Sequence, residues 1–307
     1  MPIALIAHGG AGKWRPGSDE DAVAGMKSAA DAGRAILAAG GSALDAVCAV
    51  VVALEDNPIF NAGTGAVLNF DGICELDASV MESLESRVGA VSGLQRVKNP
   101  VLVARKVLED TDHVMLTGDG AQRFARVMGF PDYDPVTPAR RTDWLDKRNH
   151  VDEVLGKHAL KMRRFLKEHP EYAGGTVGAA ALDSRGMLAA ATSTGGVTLK
   201  LAGRVGDSPI PGAGNYASAH IAASATGTGE FVLRSLATRA ISEAVEGGAS
   251  LAEATARVLE RLGREYDADV GFVAVDRAGT PVALHRTRDM PHAWFRGGGE
   301  VVSRMRV

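Results

Sequence analysis

Four clusters of small hydroxyl-bearing and charged residues set in glycine lie between positions 174 and 230: Gly174-Gly175-Thr176-Val177-Gly178, Ala191-Thr192-Ser193-Thr194-Gly195-Gly196, Gly203-Arg204-Val205-Gly206-Asp207-Ser208-Pro209 and Thr226-Gly227-Thr228-Gly229-Glu230. A threonine hydroxyl is a weak nucleophile until a base takes its proton. Thr176 follows a Gly-Gly pair at the end of a charged stretch, so a cut before it would free an α-amine, of unperturbed pKa about 7.7, to act as that base. Arg204 carries the planar two-pronged donor that suits a carboxylate, and Asp207 can accept from an ammonium. Singly, each residue also has a plain structural reading. Thr176 suits a strand because β-branched residues favour strands, and Thr194 and Thr226 suit turns or helix caps. Arg204 and Asp207 could bond to each other, and Asn61 could simply make a turn.

Other chemistries lose support. The chain has no His-Glu-x-x-His, no Cys-x-x-Cys and no Gly-x-Ser-x-Gly, and Gly12-Lys13 is followed by Trp14 where a phosphate loop needs Ser or Thr. The eight histidines are scattered. With 46% apolar and 23% charged residues and a formal charge of -3, the 307-residue chain has globular composition. Its mixed charges offer no basic surface for nucleic acid or for an anionic membrane. Cys48 and Cys74 lie in apolar stretches and read as buried free thiols of a reducing compartment. The apolar run at the N-terminus stops at His8-Gly9-Gly10, too short for a signal peptide or a spanning helix, so the cytoplasm is the expected location.

The elements that must position these residues are legible in part. Residues 3–7 read as a buried strand ending in a glycine loop, and residues 22–39 as a helix stopped by Gly40-Gly41. Ser42 and Asp45 resemble a capping box for a buried helix that ends near Asn57-Pro58. Asp71-Gly72 predicts a hairpin between strands at 65–68 and 74–80. Helices are expected at 100–108 and 121–128. Residues 132–172 are highly charged and read as a solvated, poorly anchored connector with room for a helix at 151–168. Then come a hairpin of strands 176–182 and 187–192, helices at 230–245 and 251–262, and a hairpin of 271–275 with 281–284. Strands at both ends of each half with helices between them predict sheets covered by helix layers.

Seven stretches in order identify a relationship: His8-Gly9-Gly10-Ala11-Gly12, Leu54-Glu55 through Phe60-Asn61-Ala62-Gly63, Leu76-Asp77-Ala78-Ser79-Val80-Met81, Gly175-Thr176-Val177-Gly178-Ala179, Thr192-Ser193-Thr194-Gly195-Gly196, Gly203 through Pro209, and Thr226-Gly227-Thr228-Gly229. Over nearly its whole length the chain resembles the plant-type L-asparaginases and isoaspartyl peptidases, threonine-type N-terminal nucleophile hydrolases. The resemblance implies an α+β fold, a four-layer αββα sandwich of that type, as one domain over residues 1–307. It implies self-cleavage between Gly175 and Thr176 into an α chain, 1–175, that ends in the flexible connector of about 132–175, and a β chain, 176–307. Two αβ units would form a homodimer, in effect a heterotetramer.

On the same basis Thr176 would attack the side-chain amide of L-asparagine or the β-aspartyl peptide carbonyl, forming an acyl-enzyme. Thr194 would hold its rotamer, and the Thr226 hydroxyl and Gly227 N–H would take the oxyanion. Arg204, Asp207 and Gly229 would bind the substrate, with Asn61 supporting the nucleophile. No cofactor is implied for catalysis. A structural sodium ion would rest on the main-chain carbonyls of Leu54, Glu55, Asn57, Phe60, Ala62 and Thr64. Where the family usually has Met-Asp-Gly, this chain has Met81-Glu82-Ser83. Two alternatives stand beside this reading. One is a glycosylasparaginase-like amidase, since that group shares the stretch 203–214; the other is an uncleaved amino-acid-binding protein using Arg204 and Asp207.

Overall fold

A computed structural model describes residues 2–149 and 175–306. Strand β1 (Ala4–His8) leads into α1 (Asp19–Ala38) and α2 (Ala43–Glu55), followed by β2 (Leu76–Glu82), β3 (Val88–Leu94), α3 (Pro100–Asp110), β4 (Met115–Thr117), α4 (Gly118–Val127) and α5 (Pro138–Asn149). After the charged stretch come β5 (Thr176–Leu182), β6 (Leu188–Thr194), β7 (Asn215–Ala217) and β8 (Ile221–Gly227). The chain ends with α6 (Gly229–Ser235), α7 (Ala237–Glu246), α8 (Leu251–Tyr266), β9 (Val270–Asp276), β10 (Pro281–His285), β11 (His292–Arg296) and β12 (Val302–Arg304).

Among the described residues the strands form two sheets. One has eight strands in the order β12-β11-β1-β5-β6-β2-β3-β4, the other four in the order β10-β9-β8-β7. Thr176 therefore begins a strand in the middle of the larger sheet, hydrogen-bonded to β1 on one side and β6 on the other.

Because side chains alternate along a strand, each strand feeds two layers. Val177, Ala179 and Ala181 of β5, with Ala189 and Ala191 of β6, pack against Met26 of α1, Val47, Val50 and Val51 of α2 and Val103 of α3. Full burial of each such valine or methionine contributes about 1.5–3 kcal/mol. Ala180 and Leu182 of β5 and Leu188 and Ala190 of β6 point the other way and meet Ala222 of β8 and Val273 and Val275 of β9. The remaining face of the small sheet carries Ala223, Phe272 and Ala274 against Val232, Ile241 and Leu262 of α6, α7 and α8. The molecule is thus a mixed α and β structure: helices, a sheet, a second sheet, and helices again. Alanine-rich strands allow this, since two sheets can close on one another only where side chains are small or interlock.

Several expectations hold. Ser42 and Asp45 make a full capping box on α2, and its last turn ends at Glu55 before the Asn57-Pro58 loop. The hairpins at 176–194 and 270–285 are present. Others do not hold. Asn69 to Gly72 does turn, with Gly72 N–H on the Asn69 carbonyl at 3.0 Å, but residues 65–68 form no strand and β2 pairs with β3 and β6. The predicted helix 230–245 is broken at Leu236, whose φ of 44° ends α6 and starts α7.

Residues 132–149, the described part of the charged stretch, are better anchored than their charge suggests. The Trp144 indole donates to the Asn69 carbonyl at 2.8 Å and packs on the cluster of Ala66, Leu68, Cys74 and Leu76, so α5 is tied to the core edge. Its charged residues misled because long basic side chains bury their stems while keeping polar contacts. The possible helix at 151–168 lies outside the described residues.

Candidate active site

The layer between the sheets changes character along its length. At one end it is aliphatic, as described above. Two to four residues further along the same strands it holds His8 of β1, Thr176 of β5, Thr192 and Thr194 of β6, and Asp77 and Ser79 of β2. Facing them are Asn215 of β7 and Ser224 and Thr226 of β8. All nine are buried.

Thr176 and Thr194 stand opposite each other in the β5–β6 ladder, and the Thr176 hydroxyl donates to Thr194 Oγ1 at 3.4 Å. Thr194 Oγ1 is fixed from behind by the Gly196 N–H at 2.9 Å and also lies 3.3 Å from the Gly175 carbonyl. Asn61 completes this group. Its Nδ2 donates to the carbonyls of Gly175 and Gly196, both at 2.7 Å, while its Oδ1 accepts from Val67 N–H at 2.8 Å. The carbonyl immediately before Thr176 is therefore held by an amide and a hydroxyl, next to the hydroxyl that would attack it. Asn61 does more than make a turn.

The loop after β1 closes the site from above. Gly10 has φ 112°, and a Cβ there would sit 3.0 Å from Gly175 Cα and 3.3 Å from Thr176 N, so only glycine allows this approach. The next N–H, of Ala11, donates to Thr226 Oγ1 at 3.0 Å, leaving the Thr226 hydroxyl proton free to be given elsewhere. One loop thus touches Thr176 and Thr226, which belong to different sheets. Gly227 follows Thr226 at the end of β8, just before α6 begins at Gly229.

The structure also brings Arg204, Asp207 and Gly229 together. A Cβ on Gly229 would lie 2.5 Å from Asp207 Oδ1 and 3.1 Å from Arg204 Nη2. Arg204 does not bond to Asp207. Its Nε and Nη2 both donate to Glu230 Oε1, at 2.9 and 2.8 Å. Asp207 is 3% exposed, and its Oδ2 has no hydrogen-bond partner among the described residues. Burial pushes its carboxyl up to about 7, against the pull of Arg204.

The loop after α2 wraps tightly. The Thr64 N–H donates to the Glu55 carbonyl at 2.7 Å, the Phe60 N–H to Asn57 at 3.1 Å and the Asn57 N–H to Leu54 at 3.3 Å. The Glu55 and Lys98 carbonyls converge on Gly63, each 2.7 Å from where a Cβ would lie. Two main-chain oxygens thus meet beside Gly63, and oxygens of this kind, each with a second lone pair, are the ligands a hard cation such as sodium takes. No cluster of three or more His, Cys, Asp or Glu side chains fit to hold a metal occurs among the described residues. Nor, among them, is any helix long and apolar enough to cross a membrane.

Sequence reasoning missed several participants. Glu55 sends its side chain into the helix-facing layer, where Oε1 accepts from Ser193 Oγ at 2.6 Å and Val101 N–H at 3.1 Å. Burial pushes its carboxyl up to about 8. Lys200, fully buried, donates to the Glu75 carbonyl at 3.0 Å and lies against Gly196. Glu82, the departure in the Met81-Glu82-Ser83 stretch, accepts from Leu84 N–H at 2.7 Å and Arg87 N–H at 3.2 Å and organises the β2–β3 turn. A cavity of about 930 Å³ opens beside Gly175, walled by Gly10, Trp14, Asn61, Arg140 and Lys147. Arg204 and Asp207 are not among its walls.

The chain has named relatives over almost its full length. The chain is 44% identical over 298 residues to a plant-type L-asparaginase of Pyrococcus abyssi, covering 96% of this chain and 97% of that one. It is 41% identical over 300 residues to the isoaspartyl peptidase/L-asparaginase of Homo sapiens, covering 97% and 94%. To the isoaspartyl peptidase of Escherichia coli it is 42% identical over 309 residues, again covering 97% and 94%. The family model described as asparaginase matches residues 1–302, and the chain belongs to that family.

Proposed function

We propose that this protein is an amidohydrolase that releases ammonia from L-asparagine and the amine from β-aspartyl dipeptides, and that it makes its own nucleophile by cutting between Gly175 and Thr176. The observation that carries this reading is the Gly175 carbonyl, held by Asn61 and Thr194 beside the Thr176 hydroxyl. The names of the relatives, L-asparaginase and isoaspartyl peptidase, support the substrate class.

In the precursor, Thr176 Oγ attacks the Gly175 carbonyl carbon while Asn61 Nδ2 stabilises the growing negative charge on oxygen. Collapse breaks the peptide bond, the Thr176 nitrogen takes the proton that Oγ gave up, and the Gly175 acyl group rests on Oγ as an ester. Water hydrolyses the ester. The α chain then ends at Gly175 and the β chain begins with a free amine.

In turnover that amine accepts the Oγ proton and Oγ attacks the substrate amide carbon. The Thr226 hydroxyl and Gly227 N–H receive the oxyanion, and removing one such donor typically costs about 10²- to 10³-fold in rate. The leaving amine or ammonia departs with the proton, and water cleaves the acyl-enzyme to give aspartate. Arg204 takes the substrate α-carboxylate on the fork now pointed at Glu230, and Asp207 takes the α-ammonium with Gly229 beside it. The burial of Asp207 favours this role, because an incoming cation relieves an otherwise lone buried carboxylate.

The layer order of helices, sheet, sheet and helices supports an αββα sandwich of the N-terminal nucleophile type, folded as one domain. The carbonyls of Leu54, Glu55, Asn57, Phe60, Ala62 and Thr64 are assigned to a structural sodium ion, and two αβ units to a homodimer in the cytoplasm. Exchange of sodium for a bulky organic cation should then lower the melting temperature, and sedimentation should give the mass of two chains. An intact-mass spectrum tests the central claim. Two fragments meeting at Gly175/Thr176, with aspartate released from L-asparagine and β-aspartyl-leucine, are expected. A persistently uncut chain that only binds amino acids would sink the reading. An active enzyme that cleaves glycosyl-asparagine and ignores both substrates would redirect it.

A further inference from the structure

Directly behind the three threonines of the proposed active site runs a second row of positions, two of them hydroxyl-bearing and one a glycine. Each sits two positions along the same strand, and so on the same face: Gly178 behind Thr176 on β5, Thr192 behind Thr194 on β6 and Ser224 behind Thr226 on β8. His8 of β1 lies opposite Gly178 in the ladder. His8 Nε2 is 2.9 Å from Ser224 Oγ, Ser224 Oγ is 2.7 Å from Thr192 Oγ1, and Thr192 donates to the Gly214 carbonyl at 3.1 Å. Each hydroxyl has one proton. With Thr192 giving its own to Gly214, Ser224 gives to Thr192, and the imidazole Nε2–H gives to Ser224.

This chain crosses from one sheet to the other through the space where Gly178 has no side chain. A Cβ at 178 would collide with Ser224 Oγ and lie 2.8 Å from His8 Nε2. All three linked side chains are fully buried. Burial holds the imidazole down at about 3, so it stays a neutral donor at any working pH.

We infer that the His8–Ser224–Thr192 chain is a positioning device that sets how far Thr226, on the small sheet, stands from Thr176 and Thr194 on the large one. The inference rests on the proposed function, in which nucleophile and oxyanion donor come from different sheets. Aliphatic contacts at the other end of the layer can hold sheets together but tolerate sliding. Hydrogen bonds two residues from the reacting groups do not. A misplacement of about 1 Å between reacting groups can cost on the order of 10²-fold in rate.

The test uses the purified, processed enzyme and the variants Ser224→Ala, Thr192→Val and both together. Each single change should lower kcat about 10- to 100-fold with KM within about twofold, because Arg204 and Asp207 are untouched. The double variant should cost no more than the worse single one, as members of one chain act together. Val258→Ala, in the helix-facing core of the small sheet, serves as a control for lost stability and should leave kcat unchanged at assay temperature. Unchanged kcat in both single variants, or losses that multiply in the double, would overturn the inference. Should Ser224→Ala fail to fold, the near-isosteric Thr192→Val carries the same expectation alone. A wild-type chain inactive on both substrates would count against the proposed function instead.

Discussion

The two ends of the layer between the sheets are built from the same strands and do opposite work. At one end Ala4, Ile6, Ala180, Leu182, Leu188 and Val273 exclude water and carry no directional bond. At the other, His8, Thr176, Thr192, Thr194, Ser224 and Thr226 are just as buried but interact through hydrogen bonds. The aliphatic end stabilises in proportion to area; the polar end stabilises little, since a buried hydrogen bond nets only about 0.5–1.5 kcal/mol, but it fixes geometry. Bulk stability and fixed geometry are therefore supplied by different stretches of one strand.

The largest difference between the two ends is expected at Thr176. Thr176→Ala should abolish both self-cleavage, seen as a single intact mass, and turnover, while thermal unfolding stays close to that of the uncut wild type. A processed Thr176→Ala chain would show that Thr176 is not the nucleophile of self-cleavage. The matching change at the aliphatic end is Leu188→Ala. It should cost about 2–5 kcal/mol in denaturant unfolding and leave kcat nearly unchanged below the transition. A large loss of kcat without loss of stability would mean the two ends are not separable.

How much of this was legible in the sequence depends on distance along the chain. The Ser42–Asp45 cap, the 176–194 hairpin and the glycine loops are local, and glycine or capping chemistry marks them. The strands β3, β8 and β11 carry no such mark. Ile221-Ala-Ala-Ser-Ala-Thr-Gly has little β-branched or alternating character, because strands between tightly closed layers need small residues, not typical strand formers. Motif order marks Thr176, Thr194 and Thr226, which lie in the layer between the sheets, and also Arg204 and Asp207, which meet at Gly229. The Glu55–Ser193 and His8–Ser224 bonds join residues 138 and 216 positions apart, and nothing in either local stretch announces the partner. The Glu230 partner of Arg204 was missed for the same reason.

A finer test concerns Asp207. Its carboxyl sits near 7 through burial, so the free enzyme gains its anion only as pH rises through that value. kcat/KM should therefore rise with pH through about 7, and this limb should be absent from kcat, where bound ammonium holds Asp207 ionised. Asp207→Asn should lose the limb and raise KM by roughly 10- to 100-fold, as expected for a charged hydrogen bond of about 1.5–3 kcal/mol. A limb that survives in Asp207→Asn would assign it to another group, the Thr176 amine first.

The smallest expected effect lies outside the inter-sheet layer. Glu55 is raised by burial from 4.5 to about 8, so the fold favours its neutral form. That stabilisation is fully present below pH 4.5 and is lost as pH rises through about 8, with a slope of at most about 1.36 kcal/mol per pH unit. Glu55→Gln mimics the neutral acid and should flatten the fall in melting temperature between pH 5 and 8. Asp207 adds a fall of the same sign up to about pH 7, which remains in the variant. Identical pH profiles for the two proteins would show that Glu55 ionises freely.

The strand order has a last consequence. In the eight-stranded sheet, β1, β2, β3 and β4 precede position 176 and β5, β6, β11 and β12 follow it, interleaved so that β5 lies between β1 and β6. A cut at 175/176 would create a chain terminus in the sheet interior, clamped by ladders on both sides, instead of at a fraying edge. The two pieces could form only from a chain already folded. Once unfolded and separated they would have to thread a central strand back between neighbours contributed by both fragments. Processing of this kind would act as a ratchet: the mature enzyme would be a kinetically trapped product, and heat inactivation would be irreversible even where the uncut precursor refolds.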